Sequence, residues 1–467
     1  MRSILSISVT FWVLCASVTS ANPTPTSGQF EASIKKANLL HDLAKFNHIA
    51  AQHGGNRAPN SPGFDASVNW VRFRVQSYAK FNYLAENYQT KADLVDFKRL
   101  KINHRTVAPI EAGVLLGGEE NAPQTVQGHV VRLERGGPDF CNNPNWISNV
   151  NVEGKVLLYR LADCHSGAVG GTFTQVPFTG TPAALLFYRD NWRPDNVVKR
   201  DLDLPSLAEL SKLVKRQSGE SALWAIISKN EAQKIHKDLN KNRPVTANLK
   251  VVNYRYDDVT RKNIIIETKG GNSNKVIVLG ARLDSAPFNA GINDNASGVS
   301  LLLALIDAIQ AGKFVPKNKI RFVFWGTGGS GAYASGRAVV EAARIKAYLN
   351  FHSVSRGAFG VYDGDGSRYN EAGPTGSSAI ETLFTNYFTS KGITSKPAHL
   401  EGDILSFATG SSVEKPVGGL FGGDSVVHDP CWGQPWPCDS LSNANLNHLE
   451  INAKAAAHVL YALDQST

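Results

Sequence analysis

The sequence predicts an α/β fold in which a mixed, mainly parallel sheet is sandwiched by helices, with a β-rich module inserted ahead of it. Two observations carry this prediction. From residue 262 onward, apolar runs typical of buried strands alternate with amphipathic helical segments, an order that produces a sheet covered on both faces. Between residues 107 and 255, short apolar runs are separated by glycine and proline turns, which is typical of a β-rich unit. The 467 residues are enough for two or three domains.

The first 21 residues are typical of a secretory signal peptide. Met1 and Arg2 supply a short charged start, residues 4–18 are mainly apolar, and the small residues that follow are typical of a cleavage site. The segment is too short to span a membrane, and no later run reaches about 18 apolar residues. We therefore expect a secreted, extracellular protein with no membrane-spanning segment.

The rest of the chain divides into three predicted regions. Residues 22–106 form an arm and two opening helices, because apolar residues recur at helical spacing in 39–50 and again in 68–78. Residues 107–255 form the β-rich module, and residues 256–467 form the α/β domain. In that domain we expect strands at 276–279, 320–325, 348–351 and 417–421, and helices at 297–311, 332–345, 380–388 and 446–463.

The charge pattern argues against a nucleic-acid partner. The chain carries a formal net charge of +9, spread along its length rather than gathered in a patch. The basic pairs Lys199-Arg200 and Lys215-Arg216 are only dipeptides and indicate a solvated surface. They also leave open that the protein is a storage or structural protein that is cleaved at these pairs.

Four cysteines remain once the signal peptide, with Cys15, is removed. They are Cys141, Cys164, Cys431 and Cys438. A sparse, even number in a secreted chain favours two disulfides over a metal cluster. Sequence proximity suggests pairing within 141–164 and within 431–438, although four cysteines allow three pairings. Asn295 begins a glycosylation sequon inside a tight motif, and we expect it to go unused.

Chemistry-bearing positions follow the predicted strands of the α/β domain. Arg282, Asp294, the glycine pair Gly328-Gly329, and His352 each lie in or next to a loop at the end of a strand. In such sheets, functional sites form in loops beyond the carboxyl ends of the strands. We therefore expect these residues to meet at one edge of the sheet.

Six stretches of sequence resemble one family. They are GGNRAPNSPGFDASVNWV (54–71), GARLDS (280–285), GINDNASG (291–298), FWGTGGSG (324–331), NFHS (350–353) and DPCWGQPWPCDSLSN (429–443). Together, in this order, they resemble secreted zinc aminopeptidases of the leucine aminopeptidase and aminopeptidase Y type. The resemblance implies that the β-rich module is a protease-associated domain and that 256–467 is an aminopeptidase-like domain.

The resemblance also implies a site of two zinc ions, with five ligand positions and one general base. A bridging Asp is retained as Asp294. The base position is Gly328, and the other four, degenerate ligand positions are Arg282, Gly329, His352 and Gly433. Two remaining donors, Asp294 and His352, do not make a closed or a catalytic zinc shell.

These replacements predict a catalytically inactive pseudoenzyme that binds no zinc and acts by binding a peptide or protein. The alternative is an active metallo-aminopeptidase that releases N-terminal residues through an atypical site. Arg282 has two interpretations. It forms an internal bridge with Asp294 that only stabilises the fold, or it forms with Asp294 and His352 a pocket for an acidic group.

Overall fold

The computed structural model describes residues 25–94, 97–107, 111–115, 124–132, 151–160, 182–188, 222–227, 229–252, 255–286, 289–409, 414–423 and 439–466. The predicted signal peptide, all the cysteines, both basic pairs and Gly433 lie outside these ranges. The predictions made for them therefore stay predictions.

The helices and strands are numbered in chain order. The helices are α1 Ser27–Ser33, α2 Lys36–Gln52, α3 Pro62–Val75, α4 Lys229–Asn240, α5 Ser297–Gln310, α6 Gly329–Ser335, α7 Val339–Arg344, α8 Ser377–Ser390, α9 Leu405–Ala408 and α10 Leu446–Ser466. The strands are β1 Phe81–Leu94, β2 Phe97–Ile102, β3 Arg105–Val107, β4 Glu111–Leu115, β5 Gln124–Arg132, β6 Val156–Arg160, β7 Ala184–Tyr188, β8 Ala222–Ile226, β9 Thr246–Val252, β10 Arg255–Thr268, β11 Asn272–Arg282, β12 Asn318–Trp325, β13 Ile345–His352, β14 Gly360–Tyr362, β15 Lys396–Ala398 and β16 Val417–Phe421.

The main sheet has a parallel centre. Its strand order is β1-β10-β12-β11-β13-β16-β14-β15. The neighbours β12, β11, β13 and β16 run parallel, while the edge strand β1 and its neighbour β10 are antiparallel. The predicted mixed, mainly parallel sheet is confirmed, and the carboxyl ends of its central strands share one edge.

Both faces of the main sheet are covered, as the unbroken apolar run in β11 requires. Ile277 and Leu279 point into one core with α2, α5 and α10, whereas Val276 and Val278 point into a second core with α6 and α7. Burial on both faces is what makes a central strand continuously apolar rather than alternating. Within the described residues, one segment, Ile292–Gln310, is long and apolar enough to cross a membrane, and 94% of it is buried inside the protein.

A second sheet has its own core. Its order is β3-β2-β9-β5-β6-β7-β8-β4, and α4 packs beside it. The sheet begins at Phe97, ten residues before the predicted start of the module at 107, because β2 and β3 pair with each other and β2 pairs with β9. It ends at Val252, close to the predicted boundary at 255.

The predicted elements of the α/β domain are present, with one exception. The single helix expected at 332–345 is two short helices, α6 and α7. Gly336 ends the first, donating its N–H to the carbonyl of Ala332, and Ala338 adopts an extended conformation before the second begins. The segment is rich in alanine, a strong helix former, on both sides of the break, and this composition is compatible with one helix.

Candidate functional site

Three neighbouring strands end at the expected edge of the sheet. Arg282 is the last residue of β11, and His352 is the last residue of β13. Trp325 ends β12, in register with Arg282, and Gly328 and Gly329 follow it at the start of α6. The parallel order β12-β11-β13 therefore brings four of the six predicted positions to one edge.

The fifth position, Asp294, lies in the irregular turn Ile292–Ala296 that precedes α5. The buried carboxylate of Asp439 holds this turn, accepting the N–H of Asn293 at 2.7 Å and that of Asp294 at 3.2 Å. Arg356 donates to the same carboxylate at 3.2 Å. The position of Asp294 is thus fixed by a residue that follows it by 145 positions.

Arg57 braces the same region from the opening segment. Its fully buried guanidinium donates to the carbonyls of Ala290 and Gly291, each at 2.9 Å, and to that of Leu283. Burial lowers the pKa of Arg57 to about 10, so the group is still charged at neutral pH. One side chain therefore ties the end of β11 to the turn that carries Asp294.

Arg282 lies between two buried carboxylates. Its Nη2 donates to Asp294 Oδ1 at 3.0 Å, and its Nε lies 2.9 Å from Asp284 Oδ1 as an ion pair. The side chains of Arg282, Asp284 and Asp294 are 11%, 2% and 9% exposed. Thr327 donates its hydroxyl to the other oxygen of Asp284. The arginine is therefore inside the site, bridging two acids, and does not extend into solvent.

His352 completes the contacts of Asp294. Its Nε2 lies 2.9 Å from the same Oδ1 that Arg282 contacts. The imidazole stacks on Phe421 of β16, with ring centroids 4.9 Å apart and planes 12° apart. The two donors that the sequence left for a metal, Asp294 and His352, are thus bonded to each other.

The pKa values follow from this arrangement. Burial on its own would raise the pKa of Asp294, but Arg282 and His352 together hold it below the usual range. Burial disfavours the protonated imidazole, yet the charge and hydrogen bond of Asp294 raise the pKa of His352. Burial raises the pKa of Asp284 and of Asp439 in spite of their arginine partners. The site is therefore a compact network of buried acids balanced by fixed cations.

The backbone at Gly328 and the space at Gly329 both disfavour the side chains that the resemblance implies. Gly328 has φ +74°, a left-handed conformation that glycine favours. A Cβ on Gly329 would lie 1.9 Å from Asn263 Oδ1. Asn263 is held there because its Oδ1 accepts the N–H of Gly326 at 3.2 Å and its Nδ2 donates to the Gly329 carbonyl at 3.0 Å. The space is filled by an asparagine from β10.

Comparison with known proteins identifies the family. The model of peptidase family M28 matches residues 263–460. Leucine aminopeptidase 2 of Trichophyton rubrum is 39% identical over an alignment of 477 positions. The alignment covers 94% of this chain and 86% of that protein. The chain belongs to peptidase family M28. An aminopeptidase of Pseudomonas aeruginosa PAO1 is 26% identical over 93% of this chain and 82% of its own length.

Solved M28 structures share the fold. A zinc aminopeptidase from Bacillus subtilis superposes with a TM-score of 0.63 at 16% identity, over 92% of this chain and 95% of that one. A peptidase M28 precursor from Shewanella amazonensis gives a TM-score of 0.65 at 16% identity, over 94% and 96%. At this identity the agreement concerns the fold, and it spans nearly the whole of each chain.

The zinc pair that the resemblance implies does not fit the residues that this chain has at the described positions. A guanidinium stands at one ligand position and donates to the remaining Asp294, while Gly328 and Gly329 offer no side-chain donor. Zinc requires N, O or S atoms that are free to coordinate. Of the six positions that the resemblance implies, Arg282, Asp294 and His352 thus contact one another, Gly328 and Gly329 carry no side-chain donor, and Gly433 lies outside the described residues.

Several residues of this network were not singled out from the sequence. Asp284 lies within the stretch GARLDS and is the second acid on Arg282. Asp439 had a signal, because it directly follows the last cysteine of the family motif. Arg57 had a signal of the same kind, because it lies in the first of the six stretches. Asn263 had none, since it lies outside all six stretches and acts on a segment far away in the sequence.

The sequon residue Asn295 is buried, being 1% exposed. Its Nδ2, the atom that would carry a glycan, donates to the Phe351 carbonyl at 2.9 Å. Its Oδ1 accepts the N–H of Ser353 at 3.0 Å. A glycan at this position is incompatible with the folded structure.

Proposed function

We propose that this protein is a secreted M28 homologue that does not hydrolyse peptides and acts by binding a peptide or protein. The observation that carries the proposal is the Arg282 guanidinium, which contacts both Asp284 and Asp294 at about the distances of a salt bridge. It supplies a fixed positive charge at the place where the family holds metal. A buried carboxylate needs such a partner, because an isolated buried charge is costly.

Hydrolysis of a peptide bond in this family requires a general base and a metal, and at the described positions this chain lacks the groups that would supply them. A general base within reach of water is worth roughly 10²–10⁴-fold in rate. Gly328 offers none. A metal would activate the water and polarise the carbonyl. Arg282 polarises neither, because its charge is already directed at two carboxylates.

The internal-bridge interpretation of Arg282 is favoured over the acid-binding pocket. A pocket for an acidic ligand needs a cation with spare charge, and Arg282 and His352 both contact Asp294. We therefore propose that the ligand binds outside this network, at the edge where the central strands end or on the second sheet.

Metal content and hydrolysis test the proposal together. The full-length protein, secreted and purified without chelator, is analysed for zinc and assayed on aminoacyl anilides, beside the Trichophyton rubrum relative handled in the same way. We expect much less than one zinc per chain and no chelator-sensitive hydrolysis. Two zinc ions per chain, or hydrolysis that a chelator abolishes, would establish the active alternative instead.

Binding and secretion need separate measurements. Fluorescence anisotropy with labelled peptides that have free or blocked N-termini tests whether intact peptides are retained, and recovery of the peptide unchanged excludes turnover. N-terminal sequencing of the secreted protein should begin near residue 22 if the signal peptide is removed as expected.

A further inference from the structure

We propose that the loop between β14 and α8 binds a calcium ion through Asp363, Asp365 and Glu381. Each of these residues offers one carboxylate oxygen, and the three oxygens lie within 4.8 Å of one another. Two oxygens that are each about 2.4 Å from a common calcium ion are at most about 4.8 Å apart. The cluster is therefore compact enough for one ion. It lies apart from the network around Arg282.

The second observation is an unused oxygen on a buried acid. Asp363 is 1% exposed, and its Oδ2 accepts the N–H groups of Arg368 at 3.0 Å and Tyr369 at 2.9 Å. Its Oδ1 is buried and has no hydrogen-bond partner. A buried carboxylate oxygen without a partner is costly, and a bound cation is one way to satisfy it.

The chain also shapes the rest of the cluster without neutralising it. Glu381 Oε2 accepts the N–H groups of Gly364 at 2.9 Å and Asp365 at 3.0 Å, which holds α8 against the loop. Burial and then the charges of Asp365 and Asp363 raise the pKa of Glu381. Among the ion pairs of the described ranges, none joins a lysine or arginine to any of the three acids.

The chemistry of the donors favours calcium. All three are carboxylates, with no imidazole or thiolate, which is the preference of hard cations and not of zinc. Calcium takes six to eight oxygens in a flexible geometry, so loop carbonyls and water complete the shell. Asp365 is exposed, which leaves the site open to solvent. We therefore expect a Kd on the order of 10⁻⁴–10⁻³ M, typical of extracellular modules.

Aromatic contacts connect the calcium loop to the network around Arg282. Asp363 directly follows Tyr362, whose ring stacks on Phe421 with centroids 6.0 Å apart. Phe421 in turn stacks on His352. The ion would hold the β14–α8 loop against α8 and so fix the position of Tyr362 and of the Phe421 ring that packs on it.

Calcium titration of the full-length protein tests the site. The protein is treated with EDTA, dialysed, and followed by thermal unfolding and by isothermal titration calorimetry with CaCl2 or MgCl2. At about ten times Kd, calcium is expected to raise the unfolding temperature by about 1–2 °C, with one ion bound per chain and a smaller effect of magnesium.

Two variants and a matched control locate the site. Asp365→Asn and Glu381→Gln should each weaken calcium binding at least tenfold. Glu371→Gln is the control, since Glu371 lies in the same loop but pairs with His399 at 3.0 Å. Asp365 is at the surface, so Asp365→Asn is the variant that should disturb folding least.

Each of the following results would overturn the proposal: no calcium response in the parent protein, an equal response to magnesium, a parent-like response in Asp365→Asn, or an equal loss in Glu371→Gln.

Discussion

Replacing Arg282 by methionine should destabilise the protein, because two buried acids lose a shared partner. Removing one member of a buried ion pair typically costs about 3–5 kcal/mol. Asp294 would keep His352, and Asp284 would keep the hydroxyl of Thr327. We therefore expect a loss near the lower end, about 3 kcal/mol.

The loss should depend on pH in a definite direction. The folded-state pKa of Asp294 lies below the unfolded value of about 3.9, so its stabilising contribution is complete above that value and disappears as pH falls through the folded pKa. Without Arg282, burial raises the folded pKa of Asp294. The variant then takes up a proton at higher pH than the parent protein, and the difference in stability between them narrows on acidification.

Urea unfolding measures the loss in free energy of unfolding, and hydrogen exchange shows which part of the structure is destabilised. The Leu283 N–H, bonded to the Trp325 carbonyl at 2.8 Å, lies one residue beyond Arg282 and reports local opening of the strand end. Arg344→Met is the matched control, since Arg344 is 42% exposed and pairs with Glu341 at 3.5 Å. Such a pair contributes about 0–1 kcal/mol. A loss below about 1 kcal/mol for Arg282→Met, or a loss that does not change with pH, would refute the reasoning.

Three further substitutions or modifications have expected outcomes. Gly329→Ala should lower the unfolding temperature, because its Cβ meets Asn263, whereas Gly270→Ala, with nothing within 4 Å, should change it little; equal effects would contradict the filled space. Arg57→Lys should cost about 2 kcal/mol in urea unfolding, because an ammonium cannot span three carbonyls, and an unchanged midpoint would argue against that bracing. Peptide mapping of protein secreted from a eukaryotic host should show Asn295 unmodified; a glycan there would contradict its burial.

The sequence predicted the edge of the sheet where the site lies, for a topological reason. Arg282 and His352 each end an apolar run, and parallel strands bring such ends together whatever the loops do. The proximity of Arg282 to Asp294 followed from that placement and from the opposite charges of the two residues. The local sequence pattern and the strand order were therefore sufficient to predict that Arg282, His352 and Asp294 lie together.

The partners that fix the geometry could not be read in the same way. Whether Asp284 faces Arg282 depends on how the chain turns after β11, and that turn is held by Arg57, 226 residues from its Leu283 contact. Asn263 reaches Gly329 across 66 residues of chain. Side-chain packing over such separations leaves no periodic signal in a single sequence.

Asn263 also constrains the order in which this chain could change. A glutamate at position 329 would bring its Cβ against Asn263 Oδ1, so the asparagine side chain has to move or be replaced. Replacing Asn263 first removes the acceptor of the Gly326 N–H and the donor to the Gly329 carbonyl. A change toward a metal ligand at 329 therefore costs stability at its first step, whichever of these two positions changes first.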